Sequence, residues 1–310
     1  MSKLTNELEY INGQVKENPR EFIEKCEQRY DNIVASVAKT ICDKGERQVV
    51  MLAGPSSSGK TTTARKICDE CRKNGVHTFV LSLDDFYLDR DSIPLLPDGT
   101  RDFETVYALD LDYFSEIVNA LLRGETVKTP IFDFVTGTRK QDEYNEITLG
   151  EKDIVIIEGL HALNPIITDK INGNLFKIYI SISSRIYNQK GKIILNKRNL
   201  RFVRRLVRDA KFRGSSADYT YFLWKNVTYG EDKYLFPYRD NADIKINTVH
   251  LYEPCVLKKQ ALKLLESEIS DDFAYDVQRL RDALKKFEDI NEEAVPKDSL
   301  LREFLGVNEI

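Results

Sequence analysis

Residues 47–75 read "RQVVMLAGPSSSGKTTTARKICDECRKNG", and the order of residue types in this stretch points to one architecture. Val49 to Leu52 form an apolar run with the length of a buried strand. The run ends at Gly54, and Gly59, Lys60 and Thr61 follow. The pattern Gly-x-x-x-x-Gly-Lys-Thr, entered from a strand and left into a helix, wraps the phosphates of a nucleotide. Glycines at 54 and 59 let the chain turn tightly enough for the amides of Ser56, Ser57, Ser58, Gly59, Lys60, Thr61 and Thr62 to point inward. Lys60 brings a positive charge to the β- and γ-phosphates, the Thr61 hydroxyl is placed for Mg²⁺, and the helix adds its N-terminal dipole.

Further along, "VHTFVLSLDD" (76–85), "DIVIIEGL" (153–160), "FKIYISI" (176–182) and the weaker "DIKIN" (243–247) are also strand-like. Helical patterns such as "YALDLDYFSEIVNALLRGE" lie between them, and this alternation predicts a parallel sheet covered on both faces. The expected fold class is therefore α/β, a P-loop NTPase-type parallel sheet flanked by helices. "PIFDFVTGTRKQDEYNEITLG" (130–150) differs, with short strands around a glycine turn, and predicts a small β-hairpin standing off the main sheet, which the resemblance given below puts on the substrate side. Three parts are expected: a helical N-terminal extension over 1–45, a P-loop α/β domain over 46–250, and a helical C-terminal extension over 251–310. In the first, Ile33, Val34, Val37 and Ile41 share a stripe that packs.

The composition is that of an ordinary globular chain, with 42% hydrophobic and 31% charged residues in 310. A net charge of −4 argues against a general nucleic-acid binder. No apolar run approaches the roughly 20 residues of a membrane span. The N-terminus lacks the apolar core of a secretory signal, so a cytoplasmic location is expected. Of the five cysteines, Cys68 and Cys71 form a C-x-x-C with no second pair. On a helix that spacing repeats one turn, and structural thiols are expected.

Carboxylates follow two of the strands. Asp84 and Asp85 close the second, where a parallel sheet opens onto its ligand crevice. A carboxylate there either takes a proton from an attacking hydroxyl or holds Mg²⁺ through water, and one of the pair is expected to serve a turn instead. Glu158 closes "DIVIIE" and is a candidate for the metal or for a catalytic water. Between residues 185 and 213 basic residues face a single acid, Asp209. Helical spacing puts Arg201, Arg204, Arg205 and Arg208 on one face and Val203, Leu206, Val207 and Ala210 on the other. The arginine face is a solvated surface, an RNA-binding surface, or a lid over transferring phosphate, with the lid favoured beside a nucleotide loop. His77, His161 and His250 form no catalytic spacing. The aromatic patch Tyr219, Tyr221, Phe222 and Trp224 is expected in the core.

"AGPSSSGKTT", "SLDDFY", "PIFDFVTGTR" and "IIEGLHALNP" followed by "RRLVRDAKFRG" together resemble the uridine kinase and phosphoribulokinase family of P-loop kinases, over roughly residues 48–250. "FPYRDNADIKIN" and the tail "DSLLREFLG" further resemble a bacterial uridine kinase-like subgroup. Many of its members carry an additional N-terminal domain related to that of threonyl-tRNA synthetase, which is not expected within the short N-terminal region read here. The resemblance implies an ATP- and Mg²⁺-dependent kinase with Asp84 as the base toward the acceptor hydroxyl. It implies that Arg204, Arg205 and Arg208 touch ATP phosphates, with Arg213 following, and that Asp85, Phe86, Tyr87, Glu104 and Phe132 surround the acceptor. The expected catalytic set is Asp84, Lys60 and Arg208, with Thr61, Glu158 and Asp84 toward the metal. Uridine-cytidine kinases carry a base-reading His where Gly137 stands, a Tyr where Phe132 stands, and an Arg at the place of Ser215. The leading expectation is phosphorylation of the 5'-hydroxyl of uridine or cytidine. A sugar phosphate or polyol acceptor, or a nucleotide-gated RNA-binding module, are the alternatives, and a homo-oligomer is left open.

Overall fold

A computed structural model describes residues 5–46, 48–96 and 99–306. Helices α1 (Leu8–Glu17) and α2 (Pro19–Cys42) come first. The second starts on a proline, with the Asn18 side chain accepting from the Glu21 amide at its N-terminus. Strand β1 (Gln48–Ala53) is wholly buried and runs through the loop into α3 (Lys60–Lys73). Strand β2 (Thr78–Ser82) follows, then α4 (Leu111–Arg123), which is capped by Asp110 and ends at left-handed Gly124.

The hairpin region forms two small antiparallel pairs. Strand β3 (Val127–Thr129) pairs with β6 (Asn145–Ile147), and between them β4 (Phe132–Asp133) pairs with β5 (Thr138–Arg139). Next come β7 (Ile154–Gly159), the short α5 (Pro165–Thr168) and β8 (Leu175–Ser181). A minor pair, β9 (Ile186–Tyr187) with β10 (Ile193–Leu195), precedes α6 (Lys197–Arg213) and α7 (Ala217–Tyr234). Strand β11 (Ile244–Asn247) completes the sheet, and α8 (Glu253–Leu264), α9 (Ala274–Leu284) and α10 (Arg302–Leu305) follow.

The five-stranded sheet has the order β11-β8-β1-β7-β2. Its pairings are all parallel, as the alternation of strand and helix predicted. The register sets Glu158 beside Leu52 on one side and Ser82 on the other. The phosphate loop, Glu158 and the Asp84 turn therefore leave the same edge of the sheet, as ligand-binding parallel sheets require.

Alternate residues of the strands feed two cores. Val50, Leu52, Ile154, Ile156, Ile178 and Ile180 face α3, α6, α8 and the terminal helices. Val49, Met51, Ala53, Val155 and Ile157 face α4, α5 and the hairpins. Helices α1 and α2 and the C-terminal segment as far as Leu305 enter the first core. Val34, Val37 and Ile41 are buried there, and the Tyr30 hydroxyl lies 2.7 Å from Thr63 Oγ1 on the phosphate-loop helix. Ser299 donates to the buried carboxylate of Glu27 at 2.7 Å, which ties the two ends together. Cys68 and Cys71 are buried free thiols, both raised in pKa by burial. Of the aromatic patch, Tyr221 is buried but Tyr219 and Phe222 are exposed, so only part of it joins the core.

Candidate active site

The loop between β1 and α3 owes its shape to three residues. A Cβ on Gly54 would lie 2.6 Å from the Ile180 carbonyl and 2.7 Å from Ser58 Oγ, so only glycine fits. Ser57 (φ 58°) and Gly59 (φ 91°) are left-handed, and such turns make backbone amides converge on an anion. The buried hydroxyls of Ser57 and Ser58 have no hydrogen-bond partner, a state that suits a loop built to meet phosphate oxygens.

A cleft of about 250 Å³ opens over this loop. Lys60 and Thr61 form its floor, and Asp84, Tyr87, Glu104, Glu158, Arg205, Arg208 and Arg213 are in its walls. Thr61 donates to Glu158 Oε1 at 3.1 Å and Ser82 donates to the same oxygen at 3.3 Å. Burial raises the Glu158 carboxyl to about 7, with Lys60 opposing and Asp84 adding to the shift. Asp84 stands open to the cleft, yet protein walls crowd its carboxylate and raise its pKa against the pull of Lys60 and Arg213. Glu104 is pushed to about 7 by burial and by nearby Glu231, with Arg205 opposing. His161 is buried, and burial lowers it to about 4, which keeps its ring neutral at neutral pH.

The other predicted residues fall into supporting places. Asp85 accepts the Phe132 amide at 3.2 Å and so clasps the β4–β5 hairpin to the end of β2. Phe86 is fully buried against Phe114, with ring centroids 5.2 Å apart, and does not line the cleft. Phe132 is buried with its ring centroid 5.7 Å from that of Tyr87, which does line it. Thr62 faces the neighbouring groove.

The arginine face of α6 differs from expectation. Arg201, Arg204 and Arg205 are buried, so both faces of the helix pack and neither offers a row of guanidinium groups to solvent or RNA. Arg201 forms a two-point ion pair with Glu231 at 2.6 and 2.7 Å. Glu231 also accepts the Ser56 amide at 2.8 Å. Arg204, expected on the phosphates, pairs with buried Glu253 and donates to the Ser57 carbonyl at 3.3 Å, so it braces the loop from behind. Arg205, Arg208 and Arg213 gather around Asp209 at 3.1, 2.7 and 3.5 Å and do line the cleft. The helical spacing was right, but the acids that bury the face, Glu231 and Glu253, are remote in sequence.

Residues 49–253 match the Phosphoribulokinase / Uridine kinase family. The chain belongs to that family. A uridine kinase of Oceanobacillus iheyensis is 28% identical over 200 residues, 64% of this chain and 85% of that one. A uridine kinase of Geobacillus kaustophilus is 31% identical over 175 residues, 56% of this chain and 73% of that one. A solved D-glycerate 3-kinase from Cryptococcus neoformans, 14% identical, covers 67% of this chain and 89% of its own, with a TM-score of 0.47. As a uridine kinase-like phosphotransferase this chain carries its family's phosphate loop. Its contacts to Glu231 and Glu303 come from α7 and from the tail "DSLLREFLG", outside the four segments that carry the family resemblance. Among the described residues no helix is long and apolar enough to cross a membrane.

Proposed function

We propose that this kinase transfers the γ-phosphate of ATP to the 5'-hydroxyl of uridine or cytidine, with Asp84 as the general base. The carrying observation is Asp84, which faces the cleft opposite Lys60 and Arg213 with a raised pKa. A base whose pKa approaches the working pH is better matched to taking a proton. The acceptor O–H gives its proton to Asp84 as its oxygen bonds to the γ-phosphorus. The bond from that phosphorus to the bridging β-oxygen breaks, and ADP leaves with the electron pair. Lys60 and the loop amides hold the β- and γ-phosphates, while Arg205, Arg208 and Arg213 face the charge that spreads over the moving phosphoryl group.

Glu158 and Thr61 fit Mg²⁺. Glu158 is a buried carboxylate, and burial, with Asp84 adding to it, holds its pKa near 7 against the pull of Lys60. No group of three or more His, Cys, Asp or Glu among the described residues is set to hold a metal alone. Mg²⁺ itself favours one or two protein oxygens completed by phosphate and water. When bound it would neutralise charge on the β- and γ-phosphate oxygens.

A second acceptor class, a sugar phosphate or polyol, is favoured by one contact. A Cβ on Gly137, where uridine-cytidine kinases carry their base-reading His, would lie 2.6 Å from Nε of Arg90. That guanidinium is held by the Phe134 carbonyl at 3.2 Å.

The test is ADP release with Mg-ATP and uridine, cytidine, pentose phosphates or polyols, repeated with Asp84→Asn. Uridine or cytidine should stimulate release, and the variant should lose roughly 10²- to 10⁴-fold in rate. Full transfer by Asp84→Asn would remove Asp84 as base. A response to a sugar phosphate alone would move the assignment to the second acceptor class.

A further inference from the structure

Residues 299–305 form a strap across the N-terminus of α3. Leu300 lies so close to Gly59 that a Cβ there would sit 2.5 Å from its Cδ1. Arg302 ties the strap to the chain just before it through the carbonyls of Glu292 and Pro296, each at 3.2 Å, and of Val295. Phe304 lies under the Arg204 guanidinium, 5.1 Å from ring centroid to carbon, and the Leu305 carbonyl accepts from Lys211 of α6. Leu300, Leu301, Phe304 and Leu305 are fully buried. A segment held at so many points is a wall of the site and not a lid over it.

This wall carries Glu303. Its Oε2 accepts from Thr62 Oγ1 at 2.7 Å. The side chain borders both the phosphate cleft and an adjoining groove of about 620 Å³ between α2, α3 and the strap. Thr61 and Glu303 belong to both spaces, so the groove continues the cleft. The direction of the nucleotide follows from the loop. Lys60 serves the β- and γ-phosphates, and Asp84 marks the acceptor end. The α-phosphate then lies toward Thr61 and Thr62, and the sugar leaves the cleft past them. Glu303 stands at that exit. A carboxylate is an acceptor only, and it is suited to the next part of the ligand, the ribose hydroxyls, which donate. Acidic side chains hold ribose hydroxyls in dinucleotide-binding folds by the same chemistry.

We propose that Glu303 accepts from the ribose hydroxyls of the nucleotide donor, at the mouth of the groove between α2, α3 and the strap. This rests on the nucleotide reading above, and it assigns a role in the site to the C-terminal extension.

The experiment is calorimetric binding of Mg-ATP and Mg-2',3'-dideoxyATP without acceptor, to wild type, Glu303→Ala and Glu303→Gln, with thermal melting to verify folding. Wild type should bind the dideoxy nucleotide roughly ten- to a hundredfold more weakly, the range for a hydrogen bond to a charged group. Glu303→Ala should weaken ATP by a similar factor and leave dideoxyATP unchanged, so that discrimination disappears. Glu303→Gln keeps an acceptor for Thr62, guards against a folding failure, and should fall between. Equal losses for both nucleotides would overturn the proposal, as would tighter binding of both, which would mark Glu303 as an anion displaced by phosphate. If wild type binds neither nucleotide, the phosphate-loop reading falls first and this inference with it.

Discussion

Asp84 and Asp85 are neighbours with the same side chain and different work. One faces the cleft, and the other accepts a hairpin amide at 3.2 Å. The sequence allowed the pair to be divided but not ordered from residue types alone, because which carboxylate faces inward depends on the turn after β2. Glu104 illustrates a stronger limit. The resemblance placed it near the acceptor, but nothing local foretells its charge state: burial, with Glu231 of α7 nearby, raises its carboxyl to about 7 against the pull of Arg205. Between about pH 4.5 and 7 the folded chain thus keeps a proton here that the unfolded chain has lost. The stability from this group is complete at low pH and falls away as pH rises through 7. Glu104→Gln should therefore be more stable than wild type by about 1–3 kcal/mol at pH 8, with the gain vanishing near pH 5. Chemical denaturation of the nucleotide-free protein in chelator at both pH values measures this. A gain independent of pH would mean that packing and not ionisation changed.

Helix α6 shows what periodicity does and does not reveal. The apolar face was legible from Val203, Leu206 and Val207, all buried. The fate of the arginines was not, since period alone cannot distinguish a guanidinium awaiting phosphate from one already paired with a remote acid. Arg204 and Arg208 separate the two cases by experiment. Arg204→Ala would leave Glu253 buried and unpaired, which should cost about 3–5 kcal/mol of stability whatever the ligand. Arg208 touches Asp209 at the cleft edge, and Asp209 keeps Arg205 and Arg213 without it. Arg208→Ala should cost about 1 kcal/mol or less in unfolding and lower kcat roughly a hundredfold. Denaturation midpoints paired with turnover rates make the comparison, and the reverse pattern would exchange the two roles. The sheet order was more accessible. Every strand of the sheet was visible as an apolar run, and parallel pairing follows from the helices between them.

Across the whole molecule, the termini are where sequence reading gave least. Their helices were evident as helices, but no local pattern ties Tyr30 to Thr63, Ser299 to Glu27 or Glu303 to Thr62. These are tertiary contacts across 33, 272 and 241 positions. The structure makes the strap part of one core with α3, α6 and α8. Leu300, Leu301, Phe304 and Leu305 each withdraw from water fully. At about 1.5–3 kcal/mol for each such side chain, their combined burial is about 6–12 kcal/mol. That is comparable with the ~5–15 kcal/mol by which a folded domain is stable at all. A chain ending at Pro296 should consequently fail to give a cooperatively melting protein, although every residue of the family match is retained. The single change Phe304→Ala should keep the fold while lowering stability by about 3–5 kcal/mol. Melting of both proteins beside wild type tests this. A truncated chain that melts cooperatively within about 5 °C of wild type would show the strap to be attached to the core without supporting it, since roughly 2–4 °C accompanies each kcal/mol in a chain of this size.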